Sequence, residues 1–289
     1  MSEATGFFTD ATLCIGCKAC EVACKQWNEL PSDGFDFTGD SYDNTSALSA
    51  TTWRHVAFVE QMSAQPDGVQ DRWSMVSDVC KHCANAGCLE ACPTGAIIRN
   101  EFDSVFVQPD ICNGCGYCVV SCPFGVIDLI ERFRPGEQGS PYNMATVRDD
   151  HRQRNETALQ GRGGVAGKCT LCYDRQRSGF IPACAKACPT QSISFGNVEQ
   201  LRVRAKERVE TLRGRGIAAR LYGADDVGGG IGPLNAFFLL TEEPQTYNLP
   251  AQPVLPSSRQ AAGYAAAVVA ALGLALAGWA IFRSGDGKR

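Results

Sequence analysis

Sixteen cysteines in four tight groups, short β-prone stretches between them and an uncharged run of 22 residues near the C-terminus predict an α+β fold. In it, bound metal replaces part of the apolar core and one long helix follows. A length of 289 residues leaves room for one or two domains with an accessory segment. The formal charge of −4 offers no basic surface for a polyanion, so no nucleic-acid partner is expected.

The cysteines are Cys14, Cys17, Cys20 and Cys24; Cys80, Cys83, Cys88 and Cys92; Cys112, Cys115, Cys118 and Cys122; and Cys169, Cys172, Cys184 and Cys188. Disulfide scaffolds are usually far shorter chains without clustered CxxC pairs, so the grouping points to metal held in a reducing compartment. Every group ends in CxxxC, and three continue in register as CPTGAI, CPFGVI and CPTQSI; the first has Lys25 after its last cysteine. CxxCxxCxxxC matches the bacterial ferredoxin run, where three cysteines bind one [4Fe–4S] cubane and the fourth binds another. One helical turn separates the fourth from its neighbour, which turns it away from the first cubane. Zinc ribbons also use CxxC pairs, but four cysteines within eleven residues suit paired cubanes better.

The elements follow in chain order. MSEATGFFTD has neither a basic n-region nor an apolar h-region, so no signal peptide is expected. Ala96 to Val107 reads as two β-prone stretches around a polar turn, a hairpin leading into Cys112. With the cysteine loops it makes the compact βαβ unit of a two-cluster ferredoxin. Ser140 to Gly167 is polar and Gly-rich and reads as a long surface loop. Leu201, Ala205, Val209 and Leu212 recur at helical spacing over Val198 to Arg213, with Gly214 and Gly216 placed to stop the helix; the stripe reads as core packing. Ala236 to Thr241 is a strand candidate, and LPAQPVLPSSR from Leu249 reads as a semi-rigid linker.

Ala261 to Phe282 carries no charge and as a helix would extend about 33 Å, enough to cross a bilayer. Its small residues Ala271, Gly273, Ala275 and Ala277 favour close packing on a partner helix. Arg283, Lys288 and Arg289 follow it and Arg259 precedes it, which places the C-terminus in the cytoplasm and the cysteine domain outside.

Among the three histidines, His55, His82 and His151, only His82 lies inside a cysteine group, as a ligand, a hydrogen-bond donor or, the simpler reading, a loop imidazole facing the fold. Lys18, Lys25, Lys81, Lys168 and Lys186 lie beside ligands, where positive charge favours a reduced cluster. No Ser–His–Asp set, P-loop or dinucleotide fingerprint is present, so no catalysis is expected of this chain.

TLCIGCKACEVACKQWN, the YDN and LSA segments with Trp53, CKHCANAGCLEACPTGAI, CNGCGYCVVSCPFGV and KCTLCYDRQRSGFIPACAKACPT together resemble the iron–sulfur (β) subunit of membrane-bound respiratory formate dehydrogenase. The cluster motifs are shared with electron-transfer subunits serving dimethyl sulfoxide reductase, polysulfide reductase and nickel–iron hydrogenase; the YDN region, the helix at Val198, the VGG near Val227 and the single terminal helix are more specific. The resemblance implies four [4Fe–4S] clusters with nested pairing: cluster A on Cys14, Cys17, Cys20 and Cys188; cluster B on Cys24, Cys169, Cys172 and Cys184; cluster C on Cys80, Cys83, Cys88 and Cys122; cluster D on Cys92, Cys112, Cys115 and Cys118. Spacing agrees, since 19 residues separate the second and third groups but 55 and 46 separate the outer pairs.

Nesting implies an inserted ferredoxin-like module at 75–130 and an outer module at 5–74 with 131–245; composition adds a linker at 246–260, a transmembrane helix at 261–283 and a cytoplasmic tail at 284–289. The implied partners are a molybdenum or tungsten (molybdopterin) catalytic subunit carrying the export signal and a membrane cytochrome b subunit that reduces quinone. The chain would then sit at the bacterial inner membrane with its clusters on the periplasmic side. The same subunit of a nickel–iron hydrogenase or another molybdopterin oxidoreductase is the alternative, and a cluster-based sensor or assembly scaffold is the reading from a different class.

Overall fold

The computed structural model describes residues 3–31, 42, 43, 45, 47–61, 72–130 and 164–285. A mixed four-stranded sheet anchors the chain, with β1 (Thr5–Asp10) between β8 (Ile193–Asn197) and β10 (Ala236–Leu240), and β9 (Arg220–Tyr222) outermost. β1 runs parallel to β10, with Phe7 opposite Ala236 and Asp10 opposite Leu239, and antiparallel to β8.

β10 reads AFFLL and every residue is buried, as expected for a strand covered on both faces. Alternation then sorts the side chains. Phe8, Phe237 and Leu239 face α6 (Val198–Arg213), which buries Val198, Leu201, Ala205, Val209 and Leu212 against them. Asn197 caps this helix, its side chain accepting from the Gln200 N–H. The opposite face divides. Phe7 and Ala236 pack with Cys20, Cys80, Cys169 and Cys184, while Phe238 and Leu240 pack with Tyr247, Leu249 and Leu255.

Three antiparallel hairpins carry the rest: β2 (Arg54–Gln61) with β3 (Arg72–Val79), β4 (Ile97–Arg99) with β5 (Val105–Val107), and β6 (Asp128–Ile130) with β7 (Val165–Gly167). The hairpin expected over 96–107 therefore forms. β3 crosses the module edge expected at 74/75. The long loop expected over 140–167 is corrected at its end, since Val165–Gly167 is β7, drawn into pairing with β6; the remainder to residue 163 lies outside the described residues, as does His151. Ala86, Ile97, Val105, Val107, Cys118 and Ile127 form a core of their own, closed by Ala166 of β7.

The Pro-rich stretch after Leu249 lies against the body. Leu249 and Leu255 are buried, and Tyr222 donates its hydroxyl to the Pro250 carbonyl at 2.7 Å. Gly229, at φ +59°, lets the two backbones touch, for a Cβ there would lie 2.0 Å from the Pro253 carbonyl oxygen. This is the structural use of the VGG segment. Beyond it α7 (Gln260–Gly285) projects from the body; the most apolar 18 residues within Pro256–Ile281 have mean hydropathy 2.0 and none of those 18 is buried.

Candidate iron–sulfur centres

Five short helices present the cysteines: α1 (Ala19–Trp27), α2 (Gly87–Glu90), α3 (Tyr117–Ser121), α4 (Tyr173–Arg177) and α5 (Ala183–Ala187). Each of α1, α3 and α4 is entered through a left-handed residue, Lys18, Gly116 and Cys172 respectively. Such turns aim successive N–H groups into the concavity, a geometry suited to sulfur and other anions. Leu171, also left-handed, donates its N–H to Cys169 Sγ at 3.3 Å, and Ala166 of β7 donates to Cys112 Sγ at 3.5 Å.

The four groups do not stay separate. Cys14, Cys17 and Cys20 line one cavity with Cys188, together with Val56, Ser77 and Ile193. The charges acting on each thiol reveal the other gatherings. Cys24 is pushed up by burial and then by Cys169, Cys184 and Cys172. Cys83 is raised by burial, then by Cys80, Cys122 and Cys88. Cys118 is raised to about 11, first by burial and then by Cys112, Cys115 and, more weakly, Cys92. Further thiol pairs connect the gatherings: Cys20 with Cys184, Cys169 with Cys80, and Cys88 with Cys118.

The residues fit iron–sulfur cubanes on three grounds. Among the described residues no three Cys, His, Asp or Glu side chains converge closely enough to hold one ion, as a tetrahedral zinc site demands. A cubane instead spreads its four thiolates over four corners. Secondly, buried cations stand among the sulfurs. Arg54, 1% exposed, stacks on Phe7 at 4.6 Å and donates to Ser77 Oγ at 3.0 Å, yet its Nε and Nη2 find no partner among the described residues. Its charge is opposed by burial but held by Cys184, Cys20, Cys169 and Cys24, so it stands between two of the cysteine sets. Unpaired buried guanidinium N–H groups are costly unless an acceptor such as cluster sulfide completes them. Thirdly, hydroxyls and amides reach the thiols: Ser77 to Cys20 at 3.3 Å, Thr190 to Cys188 at 3.8 Å and Asn28 to Cys24 at 3.7 Å.

His82 is a buried imidazole whose Nδ1 accepts from the Val105 N–H at 3.1 Å. Burial, then Lys168, Arg99 and Arg54, lower its pKa well below 6.5, so it is neutral with the proton on Nε2. The lysines beside the ligands divide. Lys186 is exposed, Lys18 pairs with Asp43 and Glu21, Lys81 pairs with Asp78, and Lys25 donates to the carbonyls of Pro31 and Thr51. Lys168 is buried between cysteine sets. Arg54 is the residue a motif search misses; its signal is a basic residue at the start of β2, ahead of the apolar run Val56 to Val59.

Family models described as 4Fe-4S dicluster domains match residues 13–96, and 71–134 with 128–198. The chain is 37% identical over 254 residues to the formate dehydrogenase iron–sulfur subunit of Haemophilus influenzae, covering 86% of this chain and 69% of that one. It is 40% identical to the formate dehydrogenase-O iron–sulfur subunit of Escherichia coli, covering 76% of this chain and 62% of that one. The B subunit of the anaerobic dimethyl sulfoxide reductase of Escherichia coli is 29% identical, over 70% of this chain and 78% of that one.

Proposed function

Because the chain belongs to the family of formate dehydrogenase iron–sulfur subunits, we propose that it carries electrons through four [4Fe–4S] sites from a formate-oxidising molybdenum or tungsten subunit toward a membrane cytochrome b that reduces quinone. It is an electron-transfer subunit, and the catalysis belongs to a partner. Each cluster, when bound, takes up and gives up one electron with no other bond made or broken.

The observation that carries this reading is the alignment of four cysteine sets. The neighbours of Cys14, Cys24, Cys83 and Cys118 support ligation of cluster A by Cys14, Cys17, Cys20 and Cys188, of B by Cys24, Cys169, Cys172 and Cys184, of C by Cys80, Cys83, Cys88 and Cys122, and of D by Cys92, Cys112, Cys115 and Cys118. The linking pairs Cys20–Cys184, Cys169–Cys80 and Cys88–Cys118 support the order A, B, C, D. Cys17 of A and Cys115 of D are the exposed cysteines, which suits entry and exit at opposite ends. Clusters C and D belong to the inserted module at 75–130, and A and B to the outer module at 5–74 with 131–245.

The linker touches the inserted module, where Ser257 donates to Glu90 Oε2 at 2.6 Å. Electrons leaving at D therefore leave on the side from which α7 departs. We read α7 as the membrane anchor, with the C-terminal basic residues cytoplasmic and the clusters periplasmic.

Serine replacement tests the pairing. Cys14→Ser and Cys188→Ser should abolish the same electron paramagnetic resonance signal, whereas consecutive pairing would have them abolish different ones. Formate-dependent cluster reduction in the purified complex tests the partner. The likeness to the dimethyl sulfoxide reductase subunit favours one second reading, another molybdopterin oxidoreductase, which a complex inert to formate would support. Nickel without molybdenum or tungsten would defeat both.

A further inference from the structure

Cys169, at site B of the outer module, and Cys80, at site C of the inserted one, lie in the same buried cluster, and one side chain bonds to both residues. Lys168 is 2% exposed. Its ammonium has three N–H groups and three acceptors: the Val105 carbonyl of the inserted module at 2.5 Å, the Cys169 carbonyl of the outer module at 3.0 Å, and Cys80 Sγ at 3.5 Å. The peptide it grips is held from the other side too, since Val105 N–H donates to His82 Nδ1.

What separates Lys168 from the other lysines near ligands is its partners. Lys18 and Lys81 spend their charge on carboxylates, Lys25 donates to the Pro31 and Thr51 carbonyls, and Lys186 is solvated. Among the described residues no carboxylate lies within ion-pair distance of Lys168. The positive charge is therefore left to face sulfur, in a setting where little water screens it.

We propose that Lys168 is a positioning and potential-setting residue for the transfer between modules: one buried ammonium, shared by sites B and C, that raises the potentials of that pair together. The proposal rests on the four-cluster reading above and deepens it. When an electron crosses, the donor at B is oxidised by one and the acceptor at C is reduced by one. A cation lying between them stabilises the added negative charge on either side, so the crossing at the module boundary is kept close to level. A hydrogen bond to Cys80 Sγ acts in the same direction on C.

The test uses the full-length, cluster-loaded chain in redox titrations followed by electron paramagnetic resonance. In Lys168→Met two of the four midpoint potentials should fall while the other two stay, and Lys168→Arg, which keeps the charge, should recover much of the loss. Four unmoved potentials in Lys168→Met would overturn the proposal. So would an arginine variant as depressed as the methionine one, which would leave Lys168 a packing role only. Should the methionine variant fail to load, wild-type protein grown on lysine labelled with 15N at Nζ still decides. A weakly coupled lysine nitrogen is expected at a reduced cluster, and its absence at all of them sinks the idea. Failure of the underlying reading looks different: iron well below four per cysteine quartet in wild-type protein, before any variant is made.

Discussion

Gly16 shows how much a single residue in a cysteine loop decides. It sits at φ +67°, its N–H reaches the Cys14 thiol, and a Cβ would lie 2.7 Å from both Met75 Sδ and Phe58 Cε1. Gly95 has the same φ, +67°, with nothing within 4 Å of its Cβ direction. Gly16→Ala should therefore cost about 1–3 kcal/mol and weaken loading of the first site, while Gly95→Ala should cost only about 1 kcal/mol for its backbone. Thermal unfolding and iron content of the two variants check the contrast. The thiols give a second outcome at this scale. Burial foremost pushes Cys20, Cys88 and Cys172 up to about 12 and Cys118 to about 11, against an ordinary value of 9.0. With raised pKa values the unloaded fold holds these protons more tightly than the unfolded chain. That contribution to its stability is present below about pH 9 and is lost as pH rises through 11 to 12. Cluster ligation requires thiolates and releases the protons, so it responds in the opposite sense. Iron release from the loaded protein should accelerate as pH falls from about 8 toward 5, followed by the visible absorbance.

Among the elements, those with a period of their own were legible and those made by distant partners were not. The stripe Leu201, Ala205, Val209 and Leu212 announces α6, and the structure buries it on Phe8, Phe237 and Leu239. Leu201→Ala should cost about 2–5 kcal/mol in denaturant unfolding, whereas Val203→Ala, on the exposed face, should stay within about 0.5 kcal/mol. The strand expected over 236–241 appears as Ala236–Leu240, and the hairpin into Cys112 as β4 and β5. β7 escaped notice because three residues of a Gly-rich run become a strand only when β6, some 35 positions earlier, offers its edge. The approach of distant cysteines is likewise written across the chain, 174 positions separating Cys14 from Cys188 in the cavity they both line, and local spacing carries only the quartets. Arg54 and Lys168 were hard to single out for a related reason. A buried cation looks like any surface one until the sulfurs around it are in place.

At the scale of the whole molecule, the position of the apolar helix would give the proposed row of sites a direction. α7 departs from a stretch fixed to residues 87–90 through Ser257 and Glu90 and through Leu255, which a Cβ on Gly87 would approach at 3.3 Å; on the proposed nesting these belong to the inserted module. The inserted module should therefore lie nearer the membrane, with the site of Cys118 last before it and the site of Cys14 first after the catalytic partner. In the intact complex, Cys118→Ser should leave formate able to reduce the remaining sites yet bring quinone reduction to background. Cys14→Ser should block reduction of every site beyond the first. Rapid-freeze paramagnetic resonance after formate addition distinguishes them, and a Cys118→Ser complex that still reduces quinone at the wild-type rate would show that electrons leave elsewhere. Ending the chain before Gln260 should remove membrane attachment and quinone reduction together, while the redox titration of the released domain stays as in the intact protein, because the most apolar 18 residues of the span are not buried against that domain.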